Sequence, residues 1–279
     1  MPGEREGRLP RPRKRFGQHF LADPRTLYRI VEALAPEPTD TVVEIGPGRG
    51  ALTDLLTARC GRLIAVEIDR DLVRHLKARY EGQPKVEVVE GDALKTDWGA
   101  IAGPSYLLAG NLPYYITTPL LFRILSTPRP RRAVLLVQRE VAARLAATPG
   151  SSDYGALTVN VQVTASVRVV ARVSAGAFHP RPSVDSAIVL VTPLESPLSG
   201  AAEEDAFRRF VQAVFGMRRK QLLRVIRELW VPDAGRAMTL LTSLGLEPAI
   251  RPEVISPVDF VRLFRATTIR SDTGNDDQV

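Results

Sequence analysis

The chain has 279 residues, is 44% hydrophobic and 25% charged, and carries a net charge of +7 with a pI of about 9.9. This is the composition of a soluble globular protein of one large domain or two smaller ones, and no apolar run reaches the ~18 residues of a membrane span. Cys60 is the one cysteine, which excludes an internal disulfide framework; a cytoplasmic protein with an anionic partner, nucleic acid first, is expected.

Residues 1–15 are Pro-rich and basic (Arg5, Arg8, Arg11, Arg13, Lys14 and Arg15 against Glu4 and Glu6). They are expected to form a disordered arm, not a secretory signal. From about 23 to 190, short β-branched runs alternate with helical patterns. Strands are predicted at 41–46, 62–68, 85–91, 106–111 and 131–138, and helices at 24–35, 50–60, 70–80, 118–126 and 139–147. Such alternation predicts an α/β fold with a doubly wound, mostly parallel sheet. The runs at 157–173 and 186–194 predict two further strands near one edge. A Pro/Ser/Gly linker at 193–200 precedes a stretch with helical patterns only, at 203–215, 218–230, 233–244 and 256–267. The expected organisation is an arm (1–15), an α/β domain (16–192), a small all-helical domain (201–270) and a disordered polar tail (271–279).

The first strand runs into "GPGRG", with Gly46, Gly48 and Gly50 ahead of a helix and Glu44 two residues upstream. Glycines here permit positive φ and close approach of a ligand to the backbone. The spacing is not the dinucleotide G-x-G-x-x-G. The second strand ends in Glu67, about 20 residues past the first glycine, where a carboxylate can take both ribose hydroxyls. The third ends in Asp92, placed to accept from an adenine amine, with Ile68 and Ala93 beside the two acids. Together these features resemble the S-adenosylmethionine (SAM) site of Rossmann-like methyltransferases. SAM carries no phosphate and its sulfonium is cationic, in keeping with acids around the loop and with a site that needs no metal.

The fourth strand ends in "NLPY", Asn111 to Tyr114. It resembles the [N/D]-P-P-[Y/F] motif of methyltransferases acting on planar exocyclic amines. An adenine amine donates its lone pair into the ring and is a poor nucleophile. The Asn111 side-chain oxygen and the Leu112 carbonyl can hold its two N–H groups and localise that pair. Pro113 keeps Leu112 extended, and Tyr114 offers a stacking face worth ~1–3 kcal/mol. Alignment and carbonyl dipoles then carry the catalysis, without a strong base. Tyr115 receives no role.

Over nearly its whole length the chain resembles the ribosomal RNA adenine dimethyltransferases, in particular their bacterial branch acting on 16S rRNA. "RKRFGQHFL" (13–21) is similar to the family's N-terminal signature, which implies Gln18, His19 and Leu21 at the cofactor. "FHPRPSVDSAIV" (178–189) is similar to its F-x-P-x-P-x-V-D-S loop, which implies that Phe178 stacks on the target adenine opposite Tyr114. "FGMRRKQLLRVI" (215–226) is similar to its R-R-K stretch, which implies rRNA contacts by Arg218, Arg219 and Lys220, though Gln221 and Arg224 depart from the pattern. The resemblance implies SAM-dependent dimethylation of two adjacent adenosines in the 3′-terminal hairpin loop of 16S rRNA, within the immature 30S subunit, by a monomer. An Erm-type enzyme of 23S rRNA and an assembly checkpoint with secondary catalysis remain open alternatives.

Overall fold

The computed structural model describes residues 9–13, 16–126 and 128–272. The expected arm lies outside them at 1–8 and 14–15, and the expected tail at 273–279. The chain divides into two units, one comprising residues up to 142 with 167–193, the other 143–166 with the chain from 194 on.

The first unit is built on strands β1 (Phe20–Leu21), β2 (Thr41–Ile45), β3 (Arg62–Glu67), β4 (Val86–Glu90), β5 (Leu107–Asn111), β6 (Arg132–Gln138), β7 (Ala165–Val173), β8 (Phe178–His179) and β9 (Ser186–Pro193). Seven of them form one sheet in the order β4-β3-β2-β5-β6-β9-β7. The pairings among β2 to β6 are parallel, and β9 runs antiparallel to β6. Both late strands therefore lie at one edge, as expected. The central strands are covered on both faces: Val42, Val43, Leu63, Ile64, Leu107, Leu108, Val134 and Leu135 are fully buried. Two-sided burial is what demands unbroken apolar runs instead of alternation. Cys60 packs in this core as a small apolar residue.

Helices α1 (Pro24–Leu34), α2 (Ala51–Thr57), α3 (Arg70–Arg79), α4 (Trp98–Ala102), α5 (Thr117–Leu125) and α6 (Arg139–Leu145) connect the strands. Several start where an aspartate ends the preceding segment. The side chains of Asp23, Asp69 and Asp97 accept from N–H groups of the first turns of α1, α3 and α4, satisfying donors that a helix start leaves unpaired. Strand order reverses between β2 and β5: the chain winds outward through β3 and β4, then returns to β5 beside β2. A crevice opens there at the carboxyl ends of the strands.

The second unit is helical, with α7 (Ala156–Gln162), α8 (Glu204–Gly216), α9 (Leu222–Leu229), α10 (Ala234–Ser243) and α11 (Pro257–Asp272). Phe207, Phe210, Val214, Leu222, Ile226, Leu240, Leu241 and Phe260 make its core. Four expectations change here. The run at 157–173 is not one strand, since its first half is α7. Val159, Val161 and Val163 alternate, but every residue from Leu157 to Val161 is buried, and a helix buried all round carries the same apolar signature as a buried strand. Thr158 settles the start by accepting from the Gly155 N–H (3.1 Å) and donating to the Arg144 carbonyl (2.6 Å). Segment 143–166 accordingly belongs to the helical unit, so the boundary is not a single linker. The helix expected from 218 begins only at Leu222, because residues 217–220 form a turn closed by Lys220 N–H to the Met217 carbonyl (2.8 Å). Finally, α11 runs through 271–272, where the tail was expected to begin.

Candidate active site

A cavity of about 230 Å³ lies at the reversal point of the first unit. Its walls include Gly46 and Gly48 at the carboxyl end of β2, Glu67 and Ile68 at that of β3, Asp92 and Ala93 at that of β4, and Asn111, Leu112 and Tyr114 at that of β5; Gln18 and His19 line it as well. A neighbouring cavity of about 240 Å³ shares Gly46, Gly48 and Asn111 and adds Leu21, Glu44, Arg49 and His179. Of the cofactor residues suggested by the sequence, Gly50 lines neither.

The glycines act through shape. Gly48 has φ +59°, and a β-carbon there would stand 2.9 Å from Cδ1 of Phe20. At Gly50 (φ +90°) a β-carbon would come to 2.6 Å from the Tyr80 hydroxyl. That hydroxyl donates to Asp54 Oδ1 (2.8 Å) and stands 3.1 Å from the Gly50 carbonyl, so Gly50 serves the packing of the loop onto α3. Arg49, the one cation of the loop, is half-buried and lines the second cavity. It donates to the Pro10 carbonyl (2.8 Å) and sits over the Phe20 ring.

Glu67 is buried, and its carboxylate accepts from three main-chain donors: Ile68 and Asp69 at 2.9 Å on Oε1, and Gly48 at 3.3 Å on Oε2. Burial pushes its carboxyl up, while the three N–H groups pull the other way. A carboxylate has about four acceptor sites, so capacity remains on the cavity side. Asp92 accepts from the Leu94 N–H on Oδ1 (3.0 Å), which orients it and leaves Oδ2. Gln18 is used structurally: it accepts from the Arg13 N–H (2.7 Å) and donates to Asp69 Oδ2 (3.0 Å). Arg13 itself pairs with Asp69 at 3.1 Å and with Asp71. Residues 9–13 of the expected disordered arm are thus held at the rim of the site by Arg13 and Arg49. Sequence inspection missed Asp69; the pair Asp69-Arg70 at a helix start is its only trace.

Asn111 donates through Nδ2 to the His19 carbonyl (2.8 Å). The amide is thereby oriented, and its oxygen accepts from no described residue. The Leu112 carbonyl also accepts no hydrogen bond among the described residues, and Pro113 is set at φ −58°, ψ 129°. Tyr114 is half-buried with its hydroxyl 2.8 Å from Ser186 Oγ, and burial pushes the phenol up. The His19 ring stacks against it, with centroids 5.9 Å apart. His19 Nδ1 lies 2.7 Å from the Pro180 carbonyl; a carbonyl can only accept, so Nδ1 carries that proton.

Phe178 is placed otherwise than expected. It is 5% exposed, pairs with Leu21 across β1 and β8, and packs in the core. Successive strand residues face opposite sides; His179 lines the second cavity and Phe178 lines neither of the two.

Glu44 on β2 is 1% exposed, and its Oε2 has no hydrogen-bond partner among the described residues. Burial raises its carboxyl from 4.5 to about 8; the Thr53 hydroxyl counters this, and Asp54 and Glu67 add to it. Because the folded value lies above the unfolded one, its contribution to stability is complete below pH 4.5 and is lost as pH rises towards about 8. Glu44→Gln is therefore expected to match the parent near pH 4.5 and gain on it up to pH 8, by at most about 1.4 kcal/mol per pH unit. Urea unfolding at pH 5 and pH 8 measures this, and stability curves that stay parallel would contradict it. A buried carboxyl with one unpartnered oxygen beside a glycine loop suits a cationic nucleoside better than a phosphate.

Residues 10–264 match the family model described as ribosomal RNA adenine dimethylase. The chain belongs to the ribosomal RNA adenine dimethylase family. As a member it is a methyltransferase of the SAM-dependent, Rossmann-like kind. "Ribosomal RNA small subunit methyltransferase A" of Aromatoleum aromaticum is 43% identical over 262 residues, covering 94% of this chain and 96% of that protein. The protein of the same name from Geobacter metallireducens is 42% identical, covering 92% and 95%. Among solved structures, a dimethyladenosine transferase from Plasmodium falciparum superposes with a TM-score of 0.81 at 30% identity, covering 91% of this chain and 98% of that one. The 23S rRNA methyltransferase ErmE gives 0.70 at 27% identity, covering 89% and 99%.

In the helical unit, Arg218 donates to Glu253 (2.7 Å) and Lys220 to Glu228 (2.8 Å). Arg219 is exposed and pairs with no acid among the described residues. Arg218 also donates to the Ser152 carbonyl (3.1 Å), and partly exposed pairs of this kind are worth about 0–1 kcal/mol. No helix among the described residues is long and apolar enough to cross a membrane, and no described acid, histidine or cysteine cluster could hold a metal.

Proposed function

We propose that this dimethylase transfers methyl groups to the exocyclic amines of two adjacent adenosines in the 3′-terminal hairpin loop of 16S rRNA, acting as a cytoplasmic monomer on the immature 30S subunit. The reading is carried by Asn111, whose amide nitrogen is spent on the His19 carbonyl so that its oxygen is the end left to accept. The curated relatives named small-subunit methyltransferases support the choice of RNA.

When bound, SAM supplies an electrophilic methyl on a cationic sulfur. Glu67 would hold its ribose hydroxyls and Asp92 its adenine amine, with Ile68 and Ala93 as walls and Glu44 facing its cationic end. Asn111 Oδ1 and the Leu112 carbonyl accept the two N–H groups of the target amine. This turns its lone pair out of conjugation and makes it nucleophilic. Tyr114 supports the base. As the amine becomes cationic, the same two carbonyl dipoles stabilise it, and its proton passes to water. Arg219, with Arg218 and Lys220 freed from their acids, meets backbone phosphate.

Incubation with SAM and either unmethylated small subunits or naked 23S rRNA, followed by mapping of dimethyladenosine, tests the reading. Two adjacent dimethyladenosines in 16S rRNA are expected; methyl groups confined to 23S rRNA would sink it in favour of the Erm-type alternative.

A further inference from the structure

Tyr115 follows Tyr114 in the 3-10 turn Tyr114–Ile116. Such a turn advances roughly 120° per residue, so two consecutive tyrosines face different ways. Tyr114 is drawn inward by Ser186. Tyr115 is 62% exposed, yet it lines the same cavity, and so stands at the mouth. Its ring stands beside Gly17, with room for no more than a methyl group between them: a β-carbon on Gly17 would lie 3.5 Å from its Cδ1 and 3.6 Å from its Cε1. Its hydroxyl makes no hydrogen bond among the described residues. Neither core packing nor a polar anchor accounts for an aromatic held in this position.

We propose that Tyr115 is the platform on which the base next to the target adenine stacks, an inference that rests on the RNA-adenine function proposed above. Turning a base out of a strand strips its neighbour of one stacking partner. An exposed ring at the cavity mouth, with Gly17 beside it, can replace that partner without reading sequence. It would hold the strand while the target sits between Asn111 and Tyr114. Purines, with their larger ring overlap, would benefit more than pyrimidines.

The test is a cycle between protein and RNA. Small subunits bearing the unmethylated hairpin are compared with subunits in which the neighbouring adenosine is uridine, and transfer to the remaining adenosine is measured. Tyr115→Ala is expected to lower kcat/KM about tenfold, with Tyr115→Phe restoring it. The affinity for SAM, measured by calorimetry, should be unchanged in both variants. The uridine replacement should impair the parent enzyme and leave Tyr115→Ala nearly unaffected, because the lost stack is the same one. Additive effects of the two changes, or a weakened SAM affinity indifferent to the neighbouring base, would overturn the platform and assign Tyr115 to the cofactor. Absence of any transfer by the parent to either subunit would overturn the underlying function instead.

Discussion

Asn111→Ala is expected to lower methyl transfer at saturating SAM by about 10²–10³-fold, the usual cost of removing one preorganised dipole from a developing charge. The alanine deletes the acceptor for one N–H of the amine. The lone pair then stays conjugated with the ring, and the Leu112 carbonyl alone cannot turn it. A second loss is smaller: without Nδ2 the His19 carbonyl has no donor, so segment 17–19 is held less firmly and SAM binding weakens modestly. Asn111→Asp separates the two effects. A carboxylate still accepts from the amine, but its oxygen would face the His19 carbonyl oxygen across what is now a 2.8 Å hydrogen bond. Its activity is therefore expected to lie between those of the parent and the alanine variant. Single-turnover transfer to small subunits gives the rate, and co-sedimentation gives particle binding, which should persist. Full methylation by Asn111→Ala would remove Asn111 from the chemistry. Loss of particle binding would make it a docking residue and favour the checkpoint alternative.

The sheet and the crevice at its reversal point could be read from the chain because each is encoded locally. A parallel strand buried on both faces must be a continuous apolar run, and the acids that close the cavity come directly after such runs, at Glu67 and Asp92. Where the encoding is not local, the reading failed. The valines of 157–163 satisfy helix and strand equally, and only burial in the helical unit decides. Phe178 and His179 are adjacent, and which of them faces a cavity depends on the pairing of β8 with β1, two strands of two residues each that carry no pattern. Arg13 looks like one more cation in a basic arm. Its partners Asp69 and Asp71 lie on the far side of three strands in sequence, and nothing nearby in the chain announces them. Glu44 was legible as an acid near the glycines, but that one of its oxygens has no described partner follows from the packing around it.

Glu67 joins the two kinds of information, and Glu67→Gln is expected to cost about 10²-fold in SAM affinity. The carboxylate receives three N–H groups from two different loops, Gly48 on one oxygen and Ile68 with Asp69 on the other. An amide has one accepting atom. Whichever way the glutamine turns, its NH₂ meets at least one main-chain donor, leaving a buried N–H unpaired at about 1–3 kcal/mol. Part of the loss is thus stability, read by urea unfolding. The rest belongs to the ribose, whose two hydroxyls lose charge-assisted acceptors. SAM analogues lacking the 2′- or 3′-hydroxyl distinguish these contributions. The parent should bind each analogue more weakly than SAM, whereas Glu67→Gln should discriminate far less, because the partner of the missing hydroxyl is already impaired. Equal discrimination by parent and variant would mean that Glu67 only braces the loops and that another group holds the ribose. Unchanged SAM affinity would remove Glu67 from the site altogether. The geometry argues against both: a carboxylate that merely tied two loops together would have no reason to line the cavity between them.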